Sequence, residues 1–362
     1  MVKPYYAVKC NPDMTLMKWL KDEGAGFDCA SGTELNLAYR QFPSGNFAEN
    51  TVFANPCKPP RDLKIAMELQ SGPTVVDSVE ELEKLQGNKW TNGSLIRIAV
   101  DDQGSAMPFS RKFGAQLSDV PRLVSAAKAT NQQIKGISFH VGSGCYNPLQ
   151  YSKAIQSALL CLREFPDANL VDIGGGFLPD AKHFSVNASY IRESIAAVPP
   201  HIPIRWLAEP GRFMATEFQD LFVPVIGKKP ALNGDGWRYT IDESLYGQFS
   251  SIPFDKAKPS WVRIRMGEKE QKRRQTKGVL FGRTCDSVDM IAKSEAMEEL
   301  EVGDWLWFPN MGAYTSVTAS EFNGFPKPPV QYIEEQILPY KILMASEAWP
   351  QEVTTVTSVN VP

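Results

Sequence analysis

The sequence lacks the features that mark several common protein classes. No apolar run approaches the roughly 18 residues that a membrane span needs, and the N-terminal stretch has no apolar core of a secretory signal. The six cysteines are scattered and form no CxxC pair, which is typical of reduced thiols rather than of a disulfide framework. We therefore expect a cytoplasmic protein that has no membrane partner.

The net charge is small, and histidine is scarce. The net charge is −3 over 362 residues, and the densest basic run, residues 269–277, is short, contains a glutamate and is best explained as a solvated loop. This composition argues against nucleic acid as a partner. The three histidines form no HxH or HxxxH pair, so a metal site is not supported. The length favours two domains.

The first 212 residues alternate short apolar strands with amphipathic helices. Strands that are apolar on both faces predict a parallel sheet covered by helices. Eight of them fit a closed (β/α)8 barrel better than the alternative, an open doubly wound sheet. The predicted strands are Tyr5–Lys9, Gly26–Ala30, Thr51–Ala54, Thr74–Asp77, Leu95–Val100, Gly136–Val141, Leu170–Ile173 and Ile204–Ala208, and the predicted helices are Met14–Asp22, Thr33–Gln41, Arg61–Leu69, Val79–Leu85, Val120–Thr130 and Leu149–Arg163.

The ends of these strands carry polar side chains or glycine. Barrel enzymes place their chemistry at the C-terminal ends of the strands. Asn, Asp and Gly are ordinary turn residues, whereas Lys, His and Glu are not. The set as a whole therefore predicts a site at this end of the barrel. Its members are Lys9, Asp28, Asn55, Asp77, Asp101, His140, Gly174, Gly175, Gly176 and Glu209.

Lys9 ends the first predicted strand. Burying an ammonium group is unfavourable unless it is neutralised or used. One interpretation is that the side chain simply leaves the strand for solvent. The other is that the amine, with a lowered pKa, forms a Schiff base with a carbonyl compound.

Three further segments could hold an anionic, planar group. The glycines Gly174–Gly176 can bring backbone amides close to a phosphate, or they can be only a flexible turn. Glu209 can keep a pyridine nitrogen protonated and Arg212 can bind phosphate, or the two can form an ion pair at a domain boundary. His140 can stack on a flat ring, with Ser143 beside a phosphate, or it can be a core residue.

Beyond residue 213 the pattern changes to strands and turns, which predicts an all-β domain, sandwich or barrel, over residues 213–345, followed by a loosely held tail, 346–362. Cys285 next to Asp286 places a proton donor beside a group that can bind an ammonium. The predicted strands are Phe222–Ile226, Trp237–Ile241, Val279–Phe281, Trp305–Phe308, Tyr314–Thr318 and Val330–Ile333.

Taken together, the sequence motifs of this chain and their order resemble the ornithine decarboxylase family. This family is the eukaryotic type of pyridoxal phosphate (PLP)-dependent amino-acid decarboxylases. The resemblance runs from Pro4 to about Phe325. It implies an alanine-racemase-like barrel, a C-terminal β domain, a homodimer with sites at the interface, and a small amino-acid substrate. The matching segments are PYYAVKCN, GFDCAS, FANPCK, FHVGSGC, DIGGGF, AEPGRF, LYGQF, TCDSVD and GDWLWFPNMGAYT.

The resemblance also implies a role for each matching residue. Lys9 would form the Schiff base, Glu209 would pair with the pyridine nitrogen, and His140 would stack on the ring. Cys285 of the partner chain would protonate the decarboxylated carbon, while Asp255 and, from the partner chain, Asp286 would bind the distal amine of a diamino acid. Tyr246 and Phe254 would line the substrate site. The remaining cofactor-binding positions would be Asp28, Ser143, Gly174, Gly175, Gly176, Gly211, Arg212 and Tyr314.

The chain departs from the family pattern at three positions. It has Pro108 where relatives carry an arginine, with Arg111 as a substitute, Phe254 where relatives often carry tyrosine, and Ser287 where they carry glycine. Two alternatives to an ornithine decarboxylase follow. One is a decarboxylase of an amine-bearing intermediate of specialised metabolism, and the other is a catalytically inactive binding protein similar to the antizyme inhibitors. Relatives also have residues ahead of the first barrel strand, so we expect a truncated chain with an open edge in the β domain.

Overall fold

The computed structural model describes residues 1–43, 45–232, 234–264, 273–333 and 354–358. The chain divides into two compact units, Met1–Met214 and Ala215–Pro362. Each unit is described separately below. Among the described residues, no helix is both long enough and apolar enough to cross a bilayer.

Within the described residues, the first unit is a closed barrel of eight parallel strands. Their order around the barrel is β1-β10-β9-β7-β5-β4-β3-β2. The barrel closes where Val2, Lys3 and Pro4 pair with Trp206, Leu207 and Ala208. The barrel prediction is confirmed, and the open sheet is wrong. The strands of this unit are β1 (Val2–Ala7), β2 (Gly26–Cys29), β3 (Thr51–Phe53), β4 (Thr74–Val76), β5 (Ser94–Arg97), β6 (Ser105–Met107), β7 (Ile134–Ser138), β8 (Ser143–Cys145), β9 (Leu170–Asp172) and β10 (Arg205–Ala208).

Helices follow the strands and begin at residues suited to their N-termini. The side chains of Asp13, Ser31, Ser78 and Asp180 each accept hydrogen bonds from amides of the first turn. All six predicted helices are present within two residues of their expected ends, and α7 was not predicted, because serine, asparagine and alanine dilute its apolar positions. The helices are α1 (Met14–Asp22), α2 (Gly32–Tyr39), α3 (Pro60–Glu68), α4 (Val79–Gly87), α5 (Val120–Ala129), α6 (Leu149–Leu162), α7 (Ala181–Ala196) and the one-turn α8 (Arg212–Ala215).

A layer of apolar side chains from different strands fills the barrel interior, as in other closed barrels. A short antiparallel pair, β6 and β8, connects the segment after β5 with the segment after β7. The interior layer consists of Tyr5, Val52, Val75, Leu95, Leu170 and Leu207.

The second unit is built on a sheet with the order β13-β16-β11-β12-β14-β15, and β18 pairs with both β11 and β17. It buries a core of aliphatic and aromatic side chains, among them Phe249 and Phe308, whose rings lie 4.8 Å apart. The all-β prediction is confirmed. Its elements are β11 (Gln219–Pro230), β12 (Trp237–Ile241), α9 (Ser251–Asp255), β13 (Val262–Arg263), β14 (Gln275–Phe281), β15 (Met290–Glu298), β16 (Trp305–Phe308), β17 (Val330–Ile333) and β18 (Thr354–Ser358).

The structure of this unit differs from the sequence-based expectations in four places. Residues 314–318 form turns rather than a strand, because Tyr314 has φ of +55° and the hydroxyl of Thr315 donates to the nearby carbonyl of Met311. β15 was not predicted, since its charged residues hide the alternation. The tail is not loose throughout: Thr354–Ser358 adds a strand beside β11, and its neighbours lie outside the described residues. The basic run 269–277 also lies partly outside them, and from Gln275 it is strand rather than loop.

A buried ion pair joins the segment after β3 to helix α4. The amine of Lys58, whose side chain is fully buried, lies 3.0 Å from a carboxylate oxygen of Glu81. It donates to the backbone carbonyls of Asn55 at 2.9 Å and Val75 at 2.7 Å. Burial lowers the pKa of Lys58 to about 8, although the Glu81 carboxylate opposes that shift. Removing the amine takes this donor from the buried carbonyls of Asn55 and Val75, while Glu81 keeps Lys84 and the Lys58 amide as partners.

We predict that Lys58→Met lowers the free energy of unfolding by about 3 kcal/mol, because it breaks a buried pair on one side only. Urea denaturation followed by tryptophan fluorescence would measure this free energy. Lys64→Met, at an exposed lysine of α3, is the matched control and should change stability by less than about 0.5 kcal/mol. A loss of under about 1 kcal/mol for Lys58→Met would contradict the prediction.

Candidate active site

Lys9 and Asp28 form the first contact at the C-terminal end of the barrel. β1 ends at Ala7, earlier than predicted, and Lys9 lies in the single 3-10 turn Val8–Cys10 that follows. This turn brings the Lys9 amine 2.8 Å from one carboxylate oxygen of Asp28, whose side chain is 1% exposed while that of Lys9 is 42% exposed. The other carboxylate oxygen of Asp28 is buried and has no hydrogen-bond partner within the described part of the chain.

Glu209 lies beside a second buried carboxyl group, Asp172. Burial and then the nearby carboxylates of Asp172 and Asp28 raise the pKa of Glu209 well above its usual range. Burial raises the pKa of Asp172 to about 7, although a hydrogen bond from the Gly174 amide opposes this. One oxygen of Glu209 is buried without a partner in the described residues. A cation placed next to Glu209 would favour its ionised form.

Arg97 is a site residue that the sequence analysis missed. It ends β5, and its guanidinium lies 4.8 Å from the centre of the Phe113 ring. Burial lowers the pKa of Arg97, and the charges of Glu209 and Asp77, the two largest opposing influences, raise it. The signal was the one used for Lys9, a cation at the end of an apolar strand, but the strand was predicted to continue to Val100.

The triple glycine is packed too tightly for any other residue. Gly174 has φ of +64° and Gly176 has φ of +102°. A Cβ on Gly174 would lie 2.3 Å from the carbonyl oxygen of Phe139, and one on Gly175 would lie 2.6 Å from the carbonyl oxygen of Glu209. Because these atoms belong to the neighbouring backbone, the loop requires glycine at each position.

His140 is held as a neutral imidazole. Its Nδ1 accepts a hydrogen bond from the Gly142 amide at 3.0 Å, so the ring proton is on Nε2. Burial, followed by the charges of Arg97 and Lys9, lowers the pKa of His140 well below its usual range. The ring of Phe109, a residue that was not predicted, lies 4.9 Å away at 55°.

Arg212 and Ser143 complete the group on the first unit. A guanidinium nitrogen of Arg212 donates to the Ser143 hydroxyl at 3.3 Å, and Gly211 directly precedes this arginine at the start of α8. Asn55 and Asp101 instead accept hydrogen bonds from amides two residues further along, and Asp77 accepts one from the Gly114 amide in addition to its charge effect on Arg97. Of the residues predicted from their strand ends, the site thus retains Lys9, Asp28, His140, Glu209 and the three glycines.

The remaining predicted residues lie in the second unit. Tyr246 donates a short hydrogen bond to Asp286, which lowers the pKa of that carboxyl, and the Tyr246 ring stacks on Phe322 at 4.2 Å. Cys285 is exposed, and its amide donates to the Asn323 side chain at 3.0 Å. Three others lie elsewhere in this unit: Phe254 and Asp255 in α9, and Tyr314 in a turn.

A buried carboxylate supports the loop that carries Cys285 and Asp286. Asp289 accepts hydrogen bonds from the Leu245 amide at 2.8 Å and from the Thr284 hydroxyl at 2.6 Å. A Cβ on Gly282 would lie 2.3 Å from this carboxylate. The loop therefore has a defined shape even though its tip is exposed.

Residues 1–216 match the sequence model of a family described as pyridoxal-dependent decarboxylase, pyridoxal binding domain. The chain belongs to this family. It is 37% identical to the probable ornithine decarboxylase of Dictyostelium discoideum, over 91% of this chain and 74% of that protein. It is also 37% identical to antizyme inhibitor 2 of Xenopus laevis, over 91% of this chain and 75% of that protein.

Solved structures of the family share the fold. The arginine decarboxylase of Paramecium bursaria Chlorella virus, bound to agmatine, superposes with a TM-score of 0.84 at 35% identity, covering 90% of this chain and 88% of that one. The present chain, as a member of the same family, is therefore a carboxy-lyase whose cofactor is PLP.

The residues at the end of the barrel fit that cofactor. Among the described residues, the amides of Gly175 and Gly176 have no hydrogen-bond acceptor, while all three glycine carbonyls are bonded to the protein. Outward amides in a glycine loop suit a phosphate. The unpaired oxygens of Asp28 and Glu209 suit the polar atoms of a protonated pyridine ring. Among the described residues, no group of three ligating side chains could hold a metal ion.

We predict that His140 stays neutral as the pH falls through about 6.5, the usual histidine pKa, because burial and then the charges of Arg97 and Lys9 lower its pKa. The unfolded chain would take up a proton near pH 6.5 that the folded chain refuses, so stability should fall as the pH drops through that value. Histidine NMR titration would test this, with the His140 signal assigned by its loss in His140→Gln. A midpoint at or above pH 6.5 for that signal would contradict the prediction.

Proposed function

We propose that this chain decarboxylates a basic L-amino acid, preferably ornithine, to a diamine and CO2, a polyamine-type reaction. The observation that supports this best is the group at the end of the barrel. It combines a lysine amine, buried carboxyl groups with unpaired oxygens, a neutral histidine and a glycine loop with outward amides. PLP, when bound, supplies an electron-withdrawing ring that accepts the electron pair of the broken bond between Cα and the carboxylate.

Each first-unit residue has a defined task in this proposal. Lys9 would bind the aldehyde group through its neutral amine, and Asp28, 2.8 Å away, would hold that amine in position. His140 would lie against the ring face; its neutral state avoids a second cation there. The amides of the glycine loop, with Ser143 and Arg212, would bind the phosphate.

Glu209 would hold a proton on the ring nitrogen. It can do so only as a carboxylate, although its pKa is raised by burial and by Asp172. The positive ring nitrogen would supply the missing charge, and Arg97 would limit the repulsion among the surrounding carboxylates. The site is thus arranged so that binding of the cofactor relieves an unfavourable concentration of acid groups.

The second unit would supply the groups that recognise the amino acid. Asp286 and Asp255 would bind the distal ammonium, with Tyr246 fixing the orientation of Asp286. Cys285 would deliver a proton to Cα after CO2 leaves. Phe254 would line the substrate site, and Tyr314 would lie near the phosphate.

We further propose a homodimer in which each active site combines the first unit of one chain with Cys285 and Asp286 from the second unit of its partner. Cys285 is exposed on its own unit, and the nearby apolar side chains of Val288 and Phe322 expose 64% and 42% of their surface. Apolar groups around reactive polar ones are typical of an interface that completes a site.

A second candidate keeps the chemistry and changes the substrate. Pro108, Phe254 and Ser287 are all exposed, so their departures from the family pattern alter surfaces that a substrate or partner could meet. Retention of Asp255 and Asp286 favours a substrate that still carries a distal cation. This candidate is an amine-bearing amino acid of a specialised pathway.

We predict that PLP-loaded protein releases CO2 from ornithine with a kcat/KM about tenfold or more above that for lysine, because one methylene is worth at least that much in a fitted site. Arginine and other diamino acids complete the panel. Lys9→Ala is the matched control and should abolish turnover.

Other outcomes would separate the alternatives. A leading rate with another amino acid would replace ornithine as the substrate. An absorption band of bound cofactor without CO2 from any of these compounds would favour the unusual substrate. Neither band nor CO2 would favour a binding protein like the antizyme inhibitor relative.

We predict that mixing Lys9→Ala with Cys285→Ala, each severely impaired alone, restores about a quarter of wild-type activity in reassembled dimers, since half of the dimers would have one intact site of two. Lys9→Ala mixed with Asp28→Ala is the control, because both changes fall on first units and leave no intact site. Equal activity of the two mixtures would contradict the shared-site dimer.

A further inference from the structure

All three carbonyl oxygens of the glycine loop are bonded to the protein. The Gly174 carbonyl accepts from the Glu209 amide at 2.7 Å, and the Gly176 carbonyl accepts from the Cys145 amide at 2.8 Å. The Gly175 carbonyl accepts from the hydroxyl of Tyr151 at 2.9 Å. The first two bonds come from the backbone, whereas the third depends on a side chain that a single substitution can remove.

Tyr151 is fixed within the first turn of α6. Its side chain is fully buried, and its ring stacks on Phe177 at 5.4 Å and 13°. Burial raises the pKa of its phenol well above the usual range, so the hydroxyl stays neutral and keeps its proton. A carbonyl oxygen can only accept, so the direction of this hydrogen bond is settled.

This bond determines where one amide of the loop points. The carbonyl of Gly175 and the amide of Gly176 belong to the same planar peptide and point in opposite directions. Because the carbonyl points toward Tyr151, the Gly176 amide must point away from α6. The Tyr151 hydroxyl also lies close to Gly176 itself, since a Cβ on that glycine would be 3.0 Å from it.

We propose that Tyr151 is a positioning residue for phosphate recognition: its hydroxyl holds the Gly175–Gly176 peptide so that the Gly176 amide faces the cofactor phosphate. This inference rests on the proposed role of the glycine loop as the phosphate site. Without the hydroxyl, glycine residues at both ends of the peptide allow it to rotate. The affinity lost should therefore be specific to ligands that carry the phosphate.

The test compares PLP with pyridoxal, which has the same ring and no phosphate. Apoprotein of the full chain and its Tyr151→Phe variant would be titrated with each ligand, and dissociation constants read from the quenching of protein fluorescence. We expect Tyr151→Phe to raise the dissociation constant for PLP roughly five- to tenfold, the value of one buried hydrogen bond. The constant for pyridoxal should change by less than about twofold.

Tyr239→Phe is the matched control. Tyr239 is a buried tyrosine of the second unit whose hydroxyl accepts from the Leu300 amide at 3.1 Å. The Tyr239→Phe variant also loses a buried tyrosine hydroxyl, but one outside the glycine loop. Its ratio of PLP to pyridoxal affinity should therefore equal that of the wild type. Near-ultraviolet circular dichroism of both variants would confirm a native fold.

The outcomes separate the inference from the proposed function. An equal loss of affinity for PLP and pyridoxal would show a purely structural role and overturn the inference, as would an unchanged affinity for PLP. Wild-type protein that binds both ligands equally would overturn the phosphate role of the loop itself. Release of CO2, measured separately, decides whether the chain is a decarboxylase of basic amino acids.

Discussion

The structure depends on keeping several carboxyl groups together at one end of a closed barrel. Asp28, Asp172 and Glu209 are almost fully buried there, and burial together with the carboxylates of Asp172 and Asp28 makes ionisation of Glu209 harder. Two cations, Lys9 and Arg97, compensate only part of this charge. Such an arrangement would be wasteful in a purely structural core, where apolar residues would be at least as stable. It is useful where a cationic ring must be held, so the electrostatic strain and the chemistry have one cause.

Barrel closure converts sequence order into this arrangement. Residues that are distant along the chain, such as Lys9 and Glu209, meet because β1 and β10 are adjacent in register. The contacts that position these residues are made largely by the backbone. A single 3-10 turn places Lys9, hydrogen bonds to its carbonyl hold each loop glycine, and the Gly142 amide holds His140. The reactive groups themselves are thereby separated from the elements that provide stability, such as the buried Lys58 pair.

The sequence was sufficient to predict the barrel, the β domain and the strand ends that carry the site, because apolar strands and polar ends repeat so regularly. It was not sufficient for Arg97, since a strand boundary that is misplaced by three residues hides a residue at its true end. Nor did it predict the contacts of Asp172 and Tyr151. Both look like ordinary core positions until the fold shows which backbone groups they meet. The prediction of a strand at Tyr314–Thr318 was wrong for a related reason, because threonine hydroxyls can bond to nearby backbone carbonyls and favour a turn.

The β6–β8 pair has a consequence for engineering. In most barrels of this type the segments between strands and helices can be exchanged one at a time, because each is an independent excursion from the barrel. Here Ser105 and Met107 pair with Cys145 and Ser143, so two such segments form one joined unit. A graft of the segment after β5 would leave the segment after β7, with Ser143, without its partner strand. New specificity would have to be transplanted as a pair of segments and selected together.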